Sequence, residues 1–230
     1  MEYSLTRYSL ALLALLPFST EVAGLFFNSI PNNDAVAIAT TRDAWFDAIG
    51  ISDPQFLVDF ESPTVAGLNV HDIPGLFPAG LVIRDADAGS ATVSSGPVFG
   101  GSNPVDNFAV AQNERPFLEL DFSLSPVDYV GVLDIDHSGT TVVVTFLGGT
   151  TQNFLLDTTG ASQDSAEFAG FYRNDQPRIT LVQFDASGDG QWGIDNIEYG
   201  IIPEPSRVVL LMIALGGIAA RRRRGPAVAD

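Results

Sequence analysis

From Phe117 to Tyr199 the chain is a succession of short runs in which apolar and polar residues alternate, and that period of two constrains the fold more than any other feature. Phe117-Leu118-Glu119-Leu120-Asp121-Phe122 and Tyr129-Val130-Gly131-Val132-Leu133-Asp134 are the clearest. Thr141 to Leu147, Gln152 to Leu156, Glu167 to Tyr172, Ile179 to Phe184 and Gly193 to Tyr199 follow. An alternating run puts its apolar side chains on one face of a strand and its polar ones on the other. Turn residues break the runs roughly every ten residues, the spacing of a sandwich or barrel rather than of βαβ units. The expected fold over residues 58–200 is therefore all-β, a sandwich or barrel.

A single short helix is expected before it. Thr40 can cap a helix over Thr41 to Ile49, Asp43 sits three residues on, Trp45, Phe46 and Ile49 form its apolar face, and Gly50 stops it. Residues 25–39 are rich in Asn and Ala without period, so 25–57 is expected to be a loose lead-in carrying that helix. The sequence contains no internal repeat and no long linker.

Both ends read as addresses. At the N-terminus, Arg7 supplies a positive region, Leu10 to Phe18 an apolar one, and Val22-Ala23-Gly24 a small-residue cleavage site, the layout of a secretory signal peptide over 1–24. At the C-terminus, over 201–230, Pro203-Glu204-Pro205 precedes an apolar run from Val208 to Ala220 and four arginines, Arg221, Arg222, Arg223 and Arg224. A helix over that run is about 20 Å long at ~1.5 Å per residue, short for a bilayer core of about 30 Å. The arginines should stay cytoplasmic while the bulk of the chain lies outside.

The order of Pro-Glu-Pro, hydrophobic segment and basic cluster closely resembles the PEP-CTERM sorting signal of Gram-negative bacteria that make exopolysaccharide. The resemblance implies recognition and cutting near Pro203-Glu204-Pro205 by an exosortase, after signal peptidase has acted at the other end. It also implies only transient membrane association through the tail and delivery to the cell surface or extracellular matrix. A plain C-terminal membrane anchor is the alternative. The body, from Val58-Asp59-Phe60-Glu61 to the ending Gly190-Gln191-Trp192-Gly193-Ile194-Asp195-Asn196-Ile197-Glu198-Tyr199-Gly200, resembles a recurring module of such proteins. In related jelly rolls the first and last strands lie side by side and their carboxylates share a structural calcium. The matching positions are Asp59, Glu61 and Asp195.

Charge and inventory narrow the function. The chain has no cysteine and no lysine, so it has no disulfide framework and no thiol chemistry. From Leu25 to Pro205 five arginines face 25 carboxylates, a body charge of −20, which disfavours nucleic acid and anionic membranes and suits divalent cations. Asp185 to Gly190 and Asp134 to Gly139 begin like EF-hand loops, but Asn196 and Thr145 stand where a bidentate Glu should. Both read as hairpin turns. His71 and His137 have no zinc-ligand spacing, and no nucleophile elbow or phosphate loop occurs. Trp45 reads as core; Trp192, beside glycines, is the candidate platform for a sugar ring. The expectation is a secreted, non-enzymatic surface or matrix protein binding exopolysaccharide, with no required cofactor. A secreted carbohydrate-active hydrolase and an anchored surface domain without ligand are the alternatives.

Overall fold

The computed structural model describes residues 25–28, 34–61, 67–85, 91–95, 108–113, 117–135, 141–156, 166–173, 177–185 and 191–203. The expected signal peptide, the tail from Glu204 onward, His137 and most of both EF-hand-like turns lie outside them. Every alternating run of the second half is a strand: β6 (Phe117–Asp121), β7 (Tyr129–Ile135), β8 (Thr141–Phe146), β9 (Thr151–Leu155), β10 (Ala166–Tyr172), β11 (Ile179–Asp185) and β12 (Gln191–Gly200). Five more precede them: β1 (Leu25–Asn28), β2 (Phe56–Val58), β3 (Val82–Asp85), β4 (Thr92–Ser95) and β5 (Phe108–Asn113). They form two antiparallel sheets, a jelly-roll-like sandwich. The larger runs β1-β10-β7-β12-β5-β4, with β2 also on β12, and the smaller runs β3-β6-β11-β8-β9.

β12 is the hub of the larger sheet. One of its edges pairs with β7 along its length; the other pairs with β5 over Gln191–Ile194 and with β2 over Ile197–Tyr199. Asp195 faces Leu133 and Glu198 faces Gly131, so β12 carries one residue more than its partner, a bulge at Asn196. The extra residue changes the parity of the strand. Trp192 and Ile194 before it, and Ile197 and Tyr199 after it, consequently all enter the core between the sheets. Asn196 takes the left-handed conformation there, φ 46°, which Asn tolerates better than most residues. Asp195 fixes it by accepting the Asn196 N–H at 2.7 Å.

The larger sheet is buried on both faces. Val130, Val132, Ala169 and Phe171 point to the inter-sheet core, while Tyr129, Leu133, Phe168 and Tyr172 point outward into a second core beneath α1 (Ala35–Ile49). Gly131 and Gly170 face each other across β7 and β10 and leave a notch for the Trp45 indole. A Cβ on Gly131 would lie 2.8 Å from Trp45 Cη2, and one on Gly170 2.8 Å from Trp45 Nε1. Phe168 and Tyr129 pack on the same indole at ring-centroid distances of 5.3 and 5.6 Å.

The lead-in is therefore not loose. β1 pairs with β10 at the edge of the larger sheet. The helix starts six residues earlier than Thr41, because Asp34 caps it by accepting the N–H groups of Val36 and Ala37 at 2.9 and 3.3 Å. Thr40 is interior and its hydroxyl donates to the Val36 carbonyl. Gly50 ends the helix as expected, at φ 74°.

The notch predicts a specific coupling. Gly131→Ala should cost about 1–3 kcal/mol by overpacking, and Trp45→Ala about 3–5 kcal/mol as a large buried aromatic. In the double variant the new methyl enters vacated space, so the glycine substitution should cost close to nothing. Denaturant melts of the four proteins measure this coupling; simply additive costs would place the effect of the methyl elsewhere.

Candidate functional site

The two residue sets favoured by sequence are structural. Trp192 is completely buried in the inter-sheet core and offers no face to a sugar. The expected neighbours do meet, since Val58 of β2 pairs with Ile197 of β12, yet their carboxylates are spent locally. Asp59 is exposed and accepts the Glu61 N–H at 3.2 Å, closing its own turn. Asp195 is fully buried at the bulge. Among the described residues no group of three or more acidic, histidine or cysteine side chains is placed to hold a metal. His71 accepts the Asp85 N–H at Nδ1, 2.9 Å.

Sorting brings attention to the pole at which the chain leaves the body. Leu25 pairs with Tyr172, Tyr172 with Tyr129, and Tyr129 with Gly200, so the first described residue and the end of β12 occupy one rung across four strands. Three strand spacings of about 4.8 Å separate them by ~14 Å. Just beyond, the chain is tied down. Ile201 donates to Gln55 Oε1 and Ile202 to Asp128 Oδ2, both at 2.9 Å. Asp128 is fully buried, with Arg173 Nε at 2.6 Å and Arg178 Nε at 3.2 Å from its other oxygen. Pro203, the first residue of the Pro-Glu-Pro sequence, is exposed one position past the last tie. Among the described residues no helix is long and apolar enough to cross a membrane, and Val208 to Ala220 lies outside them.

At the opposite pole lie Asp85, Asn113, Ile135, Leu155 and Asp185, each the last residue of its strand and each followed in sequence by a strand of the other sheet. The outer face of the smaller sheet runs between the poles. Leu118, Leu120, Val142, Val144, Val182 and Phe184 point inward. Their alternates form a transverse row, Arg84-Glu119-Gln183-Val143-Asn153, aligned by register across all five strands. Arg84, Glu119, Gln183 and Val143 are half-exposed and Asn153 is exposed. Arg84 bonds Asp121 through Nη1 and Asp72 through Nε at 3.1 Å. Burial works to raise the Asp121 carboxyl, but hydrogen bonds from Ser123 and Arg84 outweigh it and hold the group below its usual range. Two residues away on the same face, Glu119 is pushed upward, mainly by burial and further by Asp121, against the pull of Arg84.

Sequence reading missed this row because its members are far apart in the chain and acquire meaning only through register. The alternation did mark Glu119 and Gln183 as outward, and nothing local marked Arg84 as their neighbour. No Trp, Tyr or Phe among the residues of described exposure is exposed. A ligand on this face would be held by the guanidinium, carboxylate and amide groups of the row.

No protein-family model matches the chain, and no curated protein matches it. Among solved structures, a point mutant of a family 29 carbohydrate-binding module is similar at 13% identity and a TM-score of 0.35, over 57% of this chain and 89% of that one. The enzymatically active domain of bacteriophage CBA120 tailspike protein 4 is similar at 13% identity and a TM-score of 0.35, over 60% of this chain and 22% of that one. A family 43 arabinoxylan arabinofuranohydrolase from Bacillus subtilis is similar at 15% identity and a TM-score of 0.29, over 47% and 24%.

One buried charge gives the body a pH signature. Glu198, turned outward by the bulge, lies beneath the helix and accepts from Arg42 Nε at 2.7 Å. Burial nevertheless raises its pKa, because Arg42 is itself partly in water and offsets only part of the desolvation. A raised folded-state pKa contributes stability that is full below the unfolded value and lost as pH rises through the folded one. Relative to Glu198→Gln, the wild-type protein should therefore gain in melting temperature as pH falls from about 7 towards about 5. Parallel melts of the two proteins read the difference; an unchanging gap would show that Glu198 is charged throughout.

Proposed function

We propose that this is an exported surface or extracellular-matrix module, sorted by exosortase-type processing of its tail and binding exopolysaccharide through the outer face of its five-stranded sheet. The observation that carries the reading is the shared rung of Leu25 and Gly200. With both ends of the body at one pole, a molecule held by its C-terminal segment stands with the strand ends Asp85, Asn113, Ile135, Leu155 and Asp185 at the far pole and the transverse row along its flank. Planar polar groups at strand spacing suit the repeated hydroxyls of an extended glycan, and a charge-assisted hydrogen bond donated by Arg84 or accepted by Glu119 is about twice as strong as a neutral one.

The hydrolase reading draws support from Glu119 and Asp121, two carboxyl groups on one face whose protonation preferences are driven apart, the pattern of an acid and its partner. Against it, both Asp121 oxygens are committed, Oδ2 to Arg84 and Oδ1 to the Ser123 N–H at 2.7 Å. Hydrogen bonds that stabilise the carboxylate in this way make it a weaker base and nucleophile. Binding without turnover fits the geometry better.

The test is retention of the exported protein on insoluble polysaccharide, including the exopolysaccharide of its own source. Gln183→Ala, a half-exposed change away from both cores, should reduce retention several-fold and leave the unfolding free energy within about 0.5 kcal/mol of wild type. Equal retention by wild type and variant would remove the row from binding. Release of reducing ends, abolished by Glu119→Gln, would establish the enzyme instead.

A further inference from the structure

In a chain this acidic, one edge carries no charge. From Ser138 to Leu156, 19 consecutive residues, there is no Asp, Glu, Lys or Arg, and the described part of this run is the hairpin of β8 and β9. β9 ends the order of the smaller sheet, and among the described residues no strand pairs with its outer side. The Phe146 N–H bonds the Thr150 carbonyl across the hairpin turn, at 2.8 Å. In an antiparallel ladder hydrogen-bonded pairs alternate, so Gln152 and Phe154 turn their backbone groups to β8. Thr151, Asn153 and Leu155 turn theirs to the open side. Sheet edges of this kind are ordinarily blunted by lysine, proline or a bulge; β9 has none of these. Leu147 and Leu155 beside it are 56% and 59% exposed.

We propose that β9 is a self-association edge, and that a second copy of this chain pairs antiparallel with it about a two-fold axis through Asn153. The charge distribution selects the occupant. Two bodies each carrying −20 repel wherever carboxylates face each other, and the uncharged hairpin is where two identical copies approach without that opposition. Two-fold pairing places Asn153 opposite its own copy and Thr151 opposite Leu155, so the backbone groups of all three residues find partners and the two five-stranded sheets become one of ten. Such a contact is self-complementary and closes at the dimer. It is independent of any polysaccharide role.

Sedimentation equilibrium of the exported protein tests it. A concentration-dependent dimer is expected, and it should tighten as salt rises from about 20 mM to about 500 mM, because screening relieves the repulsion between acidic bodies. Asn153→Lys sets like charges face to face on the axis and should weaken the dimer at least about tenfold. Thr151→Lys should do the same beside Leu155, with the melting temperature of both variants unchanged, and Leu124→Lys, an exposed change in the turn after β6, should leave the dimer intact. A monomer at every concentration overturns the proposal. So does a dimer that survives both β9 variants or one that loosens with salt.

Discussion

The larger sheet depends on its last strand. β12 lies at its centre, with β7 on one side and β5 and β2 on the other, so three strands lack a neighbour until residues 191–200 are in place. Few of the contacts that close this sheet are local in sequence. β1 meets β10 and β2 meets β12 across more than a hundred residues, and such loop closures make folding slow relative to local structure. The chain that leaves β12 is immediately pinned through Ile201 and Ile202 to Gln55 and Asp128. The last of these ties, at Ile202, is thus the residue before Pro203-Glu204-Pro205 begins.

The bulge at Asn196 links that strand to everything around it. By shifting parity it lets both halves of β12 supply large side chains to one core, and it turns Glu198 the other way, towards Arg42 on the helix. The same helix drives Trp45 into the notch between Gly131 and Gly170. Outer and inner cores are thus fixed by one strand, and the segment ahead of the sandwich becomes part of it. This geometry explains why the ending Asp195-Asn196-Ile197 is distinctive: Asp195 holds the turn of the bulge, Asn196 adopts it and Ile197 re-enters the core.

Legibility in the sequence followed the periodicity. Strands β6 to β12 alternate on their own account and were readable as strands. β3 begins in a continuous apolar stretch, Leu81-Val82-Ile83, and β4 has a single large apolar residue, Val93; their strand character comes from pairing, which local pattern does not carry. The helix start was misplaced because Ala35 and Ala37 carry little apolar signal, although Ile38, Trp45, Phe46 and Ile49 share one helical face. Trp192 and Asp195 were read as functional because glycine and carboxylate neighbours resemble a site. A bulge, invisible to a period-of-two reading, puts both inside. The row from Arg84 to Asn153 needed the register of four strand pairs, information no single segment holds.

What joins body, poles and tail into one account is the proposal that the chain is exported and cut where the described body ends. Intact-mass measurement of the protein recovered outside the inner membrane tests this most directly. The account predicts one species beginning at Gly24 or Leu25 and ending between Pro203 and Pro205, at or just past the tie of Ile202 to Asp128. A species that retains Arg221 to Arg224 would contradict it and make the tail an anchor.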